Sequence, residues 1–333
     1  MANPSQSQAQ VSSPVAGLQR AWRRVMRIDE IGVLTALLAI GFVLSVTTTT
    51  FLNPVNLLQV MRQASYYGIM AVGMVFVISM GDIDLSVGSI LMLVNIVAGL
   101  CLRANLPIGV AILLGLLTGA ICGLINGGIA IVLRIPTFIV TLGTMSVFRG
   151  IGLVLSNATP ISNFSKTGAF FTVGGGNILK IPTSVVVMIL VAVAGYILYN
   201  QTPFGRRVQA IGSNAQAARF AGIRLVNHRL LAMTLMGVIS GIAGIIALAF
   251  LQAADPQTGP GFELFVIAAA IIGGTSLSGG SGSIFGAILG ALIIAVIRNG
   301  LVLLGASAYW GTAATGAVII LAVAIDYFVK RRN

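Results

Sequence analysis

Two short polar stretches interrupt an otherwise apolar sequence, and any chemistry must come from them. The first is Gly81-Asp82-Ile83-Asp84-Leu85-Ser86-Val87-Gly88, set between two strongly apolar runs. Carboxylates held at membrane depth are costly and mark functional positions. A packing account is also open. Asp84 can N-cap a helix that begins at Leu85, its charge beside the positive end of the helix dipole, with Asp82 simply solvated. The second stretch runs from Thr202 to Arg229. Within it Ser213-Asn214-Ala215-Gln216 fits a capping box, in which the Gln216 N–H donates to the Ser213 hydroxyl and the Gln216 side chain returns to Ser213. Gly222 can supply the left-handed residue that ends a helix, so Ala215 to Ala221 make about two turns of small residues. A capped helix in a basic loop suggests a docking surface. The competing account, a helix lying on anionic lipid, lacks the large apolar face such a helix needs.

Other chemistries lack their residues. His228 is the single histidine, so an HExxH site or a histidine-based metal centre is excluded. Cys101 and Cys122 lie inside apolar stretches, which rules out a disulfide framework or a CxxC metal site. The only lysines are Lys166, Lys180 and Lys330, and none stands in a G-x-x-x-x-G-K-[ST] loop, so the chain does not bind nucleotide phosphates in that way. No cofactor or metal site is expected in it. Among the remaining polar residues of apolar runs, Arg149 and Arg298 are long enough to snorkel towards a membrane face. Glu263 could pair with either, and Asn126 and Asn299 could hydrogen-bond between helices.

The elements that must hold these residues follow from composition. Of 333 residues 57% are hydrophobic and 8% charged, and the mean hydropathy is +1.02. A soluble domain carries roughly 25% charged residues, so most of this surface faces something other than water. The net charge of +12 could suggest nucleic acid, but the basic residues lie in short patches between long apolar runs. The chain reads as an all-α, polytopic transmembrane helix bundle in the lipid bilayer.

Apolar runs place about ten spans near 32–51, 64–80, 87–102, 108–133, 136–155, 184–200, 231–252, 262–274, 283–304 and 312–328. The eighth is short enough to be a half-helix, and Asn53 to Gln63 reads as an interfacial segment. On this plan thirteen basic residues fall on the side of the termini, among them Arg20, Arg134, Arg207 and Arg224, against four on the other: Arg62, Arg103, Lys166 and Lys180. The bias predicts cytoplasmic N- and C-termini. Residues 1–30 read as a disordered basic cytoplasmic tail, and 31–330 as the transmembrane domain with a cytoplasmic loop at 201–230. Glycines spaced by four, Gly115-Gly119-Gly123-Gly127, Gly237-Gly241 and Gly282-Gly286-Gly290, predict close helix packing and not chemistry.

After residue 60 the chain resembles the permease family of ribose-type monosaccharide importers of the ATP-binding-cassette class. The resemblance rests on Ala71-Val72-Gly73-Met74, on Asp82 to Gly88, on Gly212 to Arg219 with Gly222-Ile223, and on Gly273-Gly274-Thr275-Ser276-Leu277-Ser278-Gly279-Gly280. The family motif usually has glycine where this chain has Asp82, which shifts attention to Asp84. The resemblance implies a permease subunit in the bacterial inner membrane, importing ribose or a similar sugar and catalysing no covalent step. Its implied partners are a second permease copy in a homodimer, a periplasmic sugar-binding protein, and a cytoplasmic ATPase that binds ATP and Mg; nucleic acid is not among them. Ser213, Asn214, Gln216, Ala217, Ala218, Arg219 and Gly222 are then expected to couple the permease to the ATPase. Asp84, Ser86, Gly88 and Asn126 are expected in the translocation path or its gate. The alternative is an ion-coupled secondary transporter of a small polar solute, which the placement of Asp82, Asp84, Asp255, Glu263 and Asp326 near predicted span ends disfavours.

Overall fold

The computed structural model describes residues 29–307 together with 310, 311, 313, 314, 316, 317, 320 and 324. Nearly all of the expected N-terminal tail, most of the expected span at 312–328, and both chain termini therefore lie outside the described residues. Besides two π-helical turns at Phe170–Gly174 and Ile197–Gln201, eleven α-helices are delimited among those described. They are α1 (Asp29–Thr47), α2 (Pro54–Ser79), α3 (Val87–Arg103), α4 (Ile108–Leu133), α5 (Thr137–Ser156) and α6 (Thr183–Tyr196), then α7 (Pro203–Ser213), α8 (Ala215–Phe220), α9 (Leu225–Leu251), α10 (Phe262–Ile272) and α11 (Ile284–Leu303). Two-residue strands β1 (Asn177–Ile178) and β2 (Ile181–Pro182) pair antiparallel within the loop before α6. The helices start where local chemistry sets them. Asn53 and Thr202 accept N–H groups at the heads of α2 and α7, each followed by proline at the first helical position. Pro107, Pro136 and Pro182 immediately precede α4, α5 and α6.

Six helical stretches are long and apolar enough to cross a bilayer, namely Glu30–Thr47, Ile108–Leu133, Thr137–Ser156, Thr183–Gln201, Leu225–Leu251 and Ile284–Leu303. The chain is an all-α membrane protein, and its apolar surface lies on the outside. Leu38, Phe42, Leu117, Ile121, Val147 and Leu190 are exposed on α1, α4, α5 and α6, as lipid-facing side chains must be. The centre of the bundle is α2, whose residues from Tyr67 to Ser79 are all buried.

Asn53 to Gln63, expected at the interface, caps and forms the first turns of α2. Gln59 there is exposed, while other polar side chains have internal partners. Asn56 and Asn299 exchange bonds of 2.8 and 3.1 Å, and Arg62 lies 4.1 Å over the Phe250 ring. The eighth expected span is half helix: α10 has 11 residues, about 16 Å of rise, against a hydrocarbon core of about 30 Å. Residues 252–261, before it, are not helical.

The glycine ridges pack as their spacing predicts. A Cβ at Gly119 would sit 2.5 Å from the Gly237 carbonyl oxygen, and one at Gly123 would strike the Met233 carbonyl. The backbones of α4 and α9 thus touch where side chains would hold them apart.

Candidate functional site

The loop between the sixth and seventh expected spans carries two helices, α7 and α8, folded onto one end of α2. The Gly280 N–H donates to the Ser79 carbonyl at 2.8 Å, and the Ser79 and Tyr199 hydroxyls bond at 2.7 Å. Gln209 on α7 donates to the Tyr199 carbonyl at 3.3 Å. Val208, Ile211 and Ala218 are buried against the core built around α2. The end of α2, the turn at 273–283 and the two short helices therefore form one packed unit.

The capping box centred on Ser213 is corrected by this geometry. α7 runs through Ser213, whose hydroxyl bonds back to the Gln209 carbonyl at 3.0 Å, so it cannot cap α8. Asn214 is the extended residue, with φ −159° and ψ 99°, and its side chain accepts the Ala217 N–H at 2.9 Å. Gln216 is exposed. The other end is as expected: Gly222 has φ +81°, its N–H reaches the Arg219 carbonyl at 3.0 Å, and the Ile223 N–H reaches that of Ala218 at 3.0 Å. This pair of bonds is the Schellman closure.

Of the two alanines expected at a docking contact, only Ala217 faces outward; Ala218 is 5% exposed and belongs to the core. The side chain that projects is Phe220, 83% exposed. The reading by small residues overlooked it, although it is the one large apolar residue between Ser213 and Gly222 and was visible as such.

The Asp82–Gly88 segment also differs from expectation. Asp82 is not solvated: it is 8% exposed and accepts from Arg229 Nε at 2.7 Å and from the Thr137 hydroxyl at 2.7 Å. That joins the segment to the first turns of α5 and α9. Nor does Asp84 cap a helix beginning at Leu85. α3 begins at Val87, and Asp84 Oδ1 accepts the Ser86 N–H at 2.8 Å and the Ser86 hydroxyl at 2.6 Å. Ser86 accepts in turn from Asn126 at 2.7 Å, and Asn126 accepts from Thr144 at 2.6 Å. With φ −87° and ψ −4°, Ser86 is already helical and makes no side-chain cap bond.

The structure brings Asp84, Ser86 and Asn126 together, all fully buried. They tie α3 to α4 and α5. Gly88 is a crossing point, since a Cβ there would strike the Gly259 carbonyl.

The two half-buried arginines have partners inside the protein. Arg298 lies 4.2 Å over the Phe265 ring and donates to the Tyr67 hydroxyl at 3.2 Å. Arg149 donates to the Pro256 carbonyl at 3.1 Å. Helical side chains lean towards their own N-terminus, which carries Arg149 deeper along α5. Neither pairs with Glu263; among the described residues the one ion pair is Arg229–Asp82. Asn126 and Asn299 do bond between helices. No group of three or more His, Cys, Asp or Glu side chains gathers as a metal site among the described residues.

A cleft of about 860 Å3 opens beside α8, with Arg134, Arg219, Arg224 and Arg229 in its wall. It makes this end of the bundle strongly basic.

Comparison with known proteins gives a consistent picture. The family model for the permease component of branched-chain amino acid transport systems matches residues 56–323. The ribose import permease protein RbsC of Bacillus subtilis is 41% identical over 300 residues, covering 90% of this chain and 93% of that protein. The D-allose transport system permease protein AlsC of Escherichia coli is 38% identical over 288 residues, 86% of this chain and 88% of its own. The L-arabinose ABC transporter permease protein AraH of Azospirillum brasilense is 33% identical over 336 residues, 100% of this chain and 98% of its own. No solved structure matches the chain.

Proposed function

The chain belongs to this family of transport-system permeases, and from that membership we propose that it is the membrane-spanning permease subunit of an ATP-driven sugar importer in the bacterial inner membrane. Ribose, allose and arabinose are the sugars in its relatives' names, so a monosaccharide is the substrate class. The chain works with a separate cytoplasmic ATPase, which binds ATP and Mg, with a periplasmic sugar-binding protein, and with a second permease copy.

The observation that carries the coupling role is α8. It is a helix closed at both ends by its own chain, packed through Ala218 against the unit at the end of α2, and presenting Phe220 outward. A rigid stud of that kind can pass the motion of a docked partner into α2 and α9. The basic residues of the loop support a cytoplasmic position for it, in a plan of ten crossings with both termini cytoplasmic.

Sugar uptake tests the reading directly. Cells that import ribose through this chain should lose uptake when ATP is depleted and keep it when an ionophore collapses the ion gradients. The opposite pattern would establish an ion-coupled carrier. Single cysteines at Lys166 and Arg207 should label from opposite faces of sealed vesicles; labelling from one face would refute the ten-span plan.

A further inference from the structure

The non-helical residues 252–261 run along α3 with Ala254, Pro256 and Gly259 buried and the residues between them partly or fully exposed. At one end, a Cβ on Gly99 of α3 would strike Ala254; at the other, Gly88 of α3 meets the carbonyl of Gly259. Gly88 and Gly99 are eleven residues apart on α3, about 16 Å of helix rise. Residues 254 to 259 are not fully extended, since the Thr258 N–H closes a turn on the Asp255 carbonyl at 3.1 Å, but their two ends meet α3 at these separate points. The segment therefore descends alongside α3. Gly88 stands fifteen residues before Arg103, so Gly259 lies about 22 Å along the helix from the Arg103 end. That is well into a hydrocarbon core of about 30 Å.

Irregular backbone at this depth is tolerated only where protein buries it or where it lines a water-filled cavity. Protein buries part of it. Arg149 binds the Pro256 and Thr258 carbonyls at 3.1 and 3.5 Å, and the Gln257 N–H donates to Asp255 at 2.8 Å. The rest faces out of the subunit. Gln257 is exposed, Asp255, Thr258, Glu263 and Arg149 are half-exposed, and Pro260 and Leu264 beside them are exposed. Lipid cannot cover that strip, so water and a second protein surface must.

We infer that Gln257, Thr258 and Glu263, steadied by Arg149, form a mid-membrane contact station for a neutral polyhydroxylated solute, in a water-filled cleft that a second copy of the chain closes. The station offers an amide that donates and accepts, a hydroxyl that does both, and a carboxylate that accepts, the complement of a ring of hydroxyl groups. The same strip moves the expected translocation residues from the buried Asp84–Asn126 network to residues 255–263. The inference rests on the sugar-transport reading and is tested apart from it.

Cysteines placed singly at Gln257 and at Leu117, an exposed side chain of α4, distinguish the strip from the lipid face. A thiol reacts as thiolate, which forms in water and not in hydrocarbon. A charged, membrane-impermeant thiol reagent should therefore label Gln257→Cys at least about tenfold faster than Leu117→Cys, above the background of Cys101 and Cys122, and 10 mM-scale ribose (roughly saturating for a weak site) should slow it during transport. Gln257→Leu should lower the maximal rate of ribose uptake about tenfold, as one lost hydrogen bond would, with the protein still in the membrane. Equal labelling at the two positions overturns the cleft. Fast labelling that ribose leaves unchanged, with full uptake by Gln257→Leu, overturns the contact station. Uptake by the unaltered chain is the separate check on the transport reading; its absence would refute that reading while the labelling ratio still decides whether the cleft exists.

Discussion

Arg229, in the first turns of α9, holds the Asp82 carboxylate at 2.7 Å, across 147 residues of chain. α9 follows α8 by four residues, and Asp82 follows α2 by two. The ion pair therefore bridges the start of α9, next to α8, to the turn that opens α3. Arg229 is 39% exposed and Asp82 8%, so the pair is half screened, but removing Arg229 strands a buried carboxylate. The double variant Arg229→Ala with Asp82→Asn should destabilise the protein by less than the sum of the two single losses. The coupling energy from thermal unfolding in detergent is expected at about 1–3 kcal/mol. Additive losses would mean that the contact carries no interaction energy of its own.

Asp84 makes a narrower prediction. Its Oδ1 accepts from both Ser86 groups, and asparagine keeps that oxygen with nearly the same shape. Asp84→Asn should fold and transport. Asp84→Ala leaves the Ser86 N–H unpaired inside the protein, at a cost of about 1–3 kcal/mol, and should cut the yield of folded permease in size-exclusion profiles. Loss of uptake in a well-folded Asp84→Asn would show that the charge itself is used.

The glycines of α4 separate packing from surface on a single helix. Gly123→Ala drives a Cβ into the Met233 carbonyl, whereas nothing stands within 4 Å of a Cβ at Gly128. Gly123→Ala should abolish or sharply reduce folded protein, because backbone cannot give way as a side chain does. Gly128→Ala should express at parental levels, with helix propensity favouring alanine by about 1 kcal/mol. Equal behaviour of the two variants would contradict the α4–α9 packing described.

How much of this could be read in advance depended on whether the signal was local. Apolar runs, glycine spacing and the Gly222 turn are properties of neighbouring residues, and among the described residues the helices, the close glycine contacts and the turn fall at those positions. The helix start at Ser213 failed because a preceding helix, α7, competed for that residue and won. Asp82 was misjudged because its partners, Thr137 and Arg229, lie far along the chain and no periodicity points to them. The bond between Asn56 and Asn299 was hidden in the same way, since 243 residues separate the two. The broken span at 252–261 was signalled only by the shortness of the run after it; its depth beside α3 required the fold.

The docking surface gives the prediction with the clearest contrast, because two residues of α8 two positions apart face opposite ways. Ala218 is in the core and Phe220 stands in the open. Ala218→Trp overfills a packed interior and should lower the yield and melting temperature of the permease itself, by about 1–3 kcal/mol or more. Phe220→Ala removes nothing from the fold and should leave both unchanged. If Phe220 is the apolar anchor in the ATPase surface, its loss should weaken association by about 2 kcal/mol, roughly thirtyfold, so that the ATPase washes away during co-purification and sugar-stimulated hydrolysis in proteoliposomes falls. A Phe220→Leu variant, which keeps an apolar knob, should retain much of both. Normal ATPase retention and uptake in Phe220→Ala would remove α8 from the contact and leave the coupling role to another part of the loop.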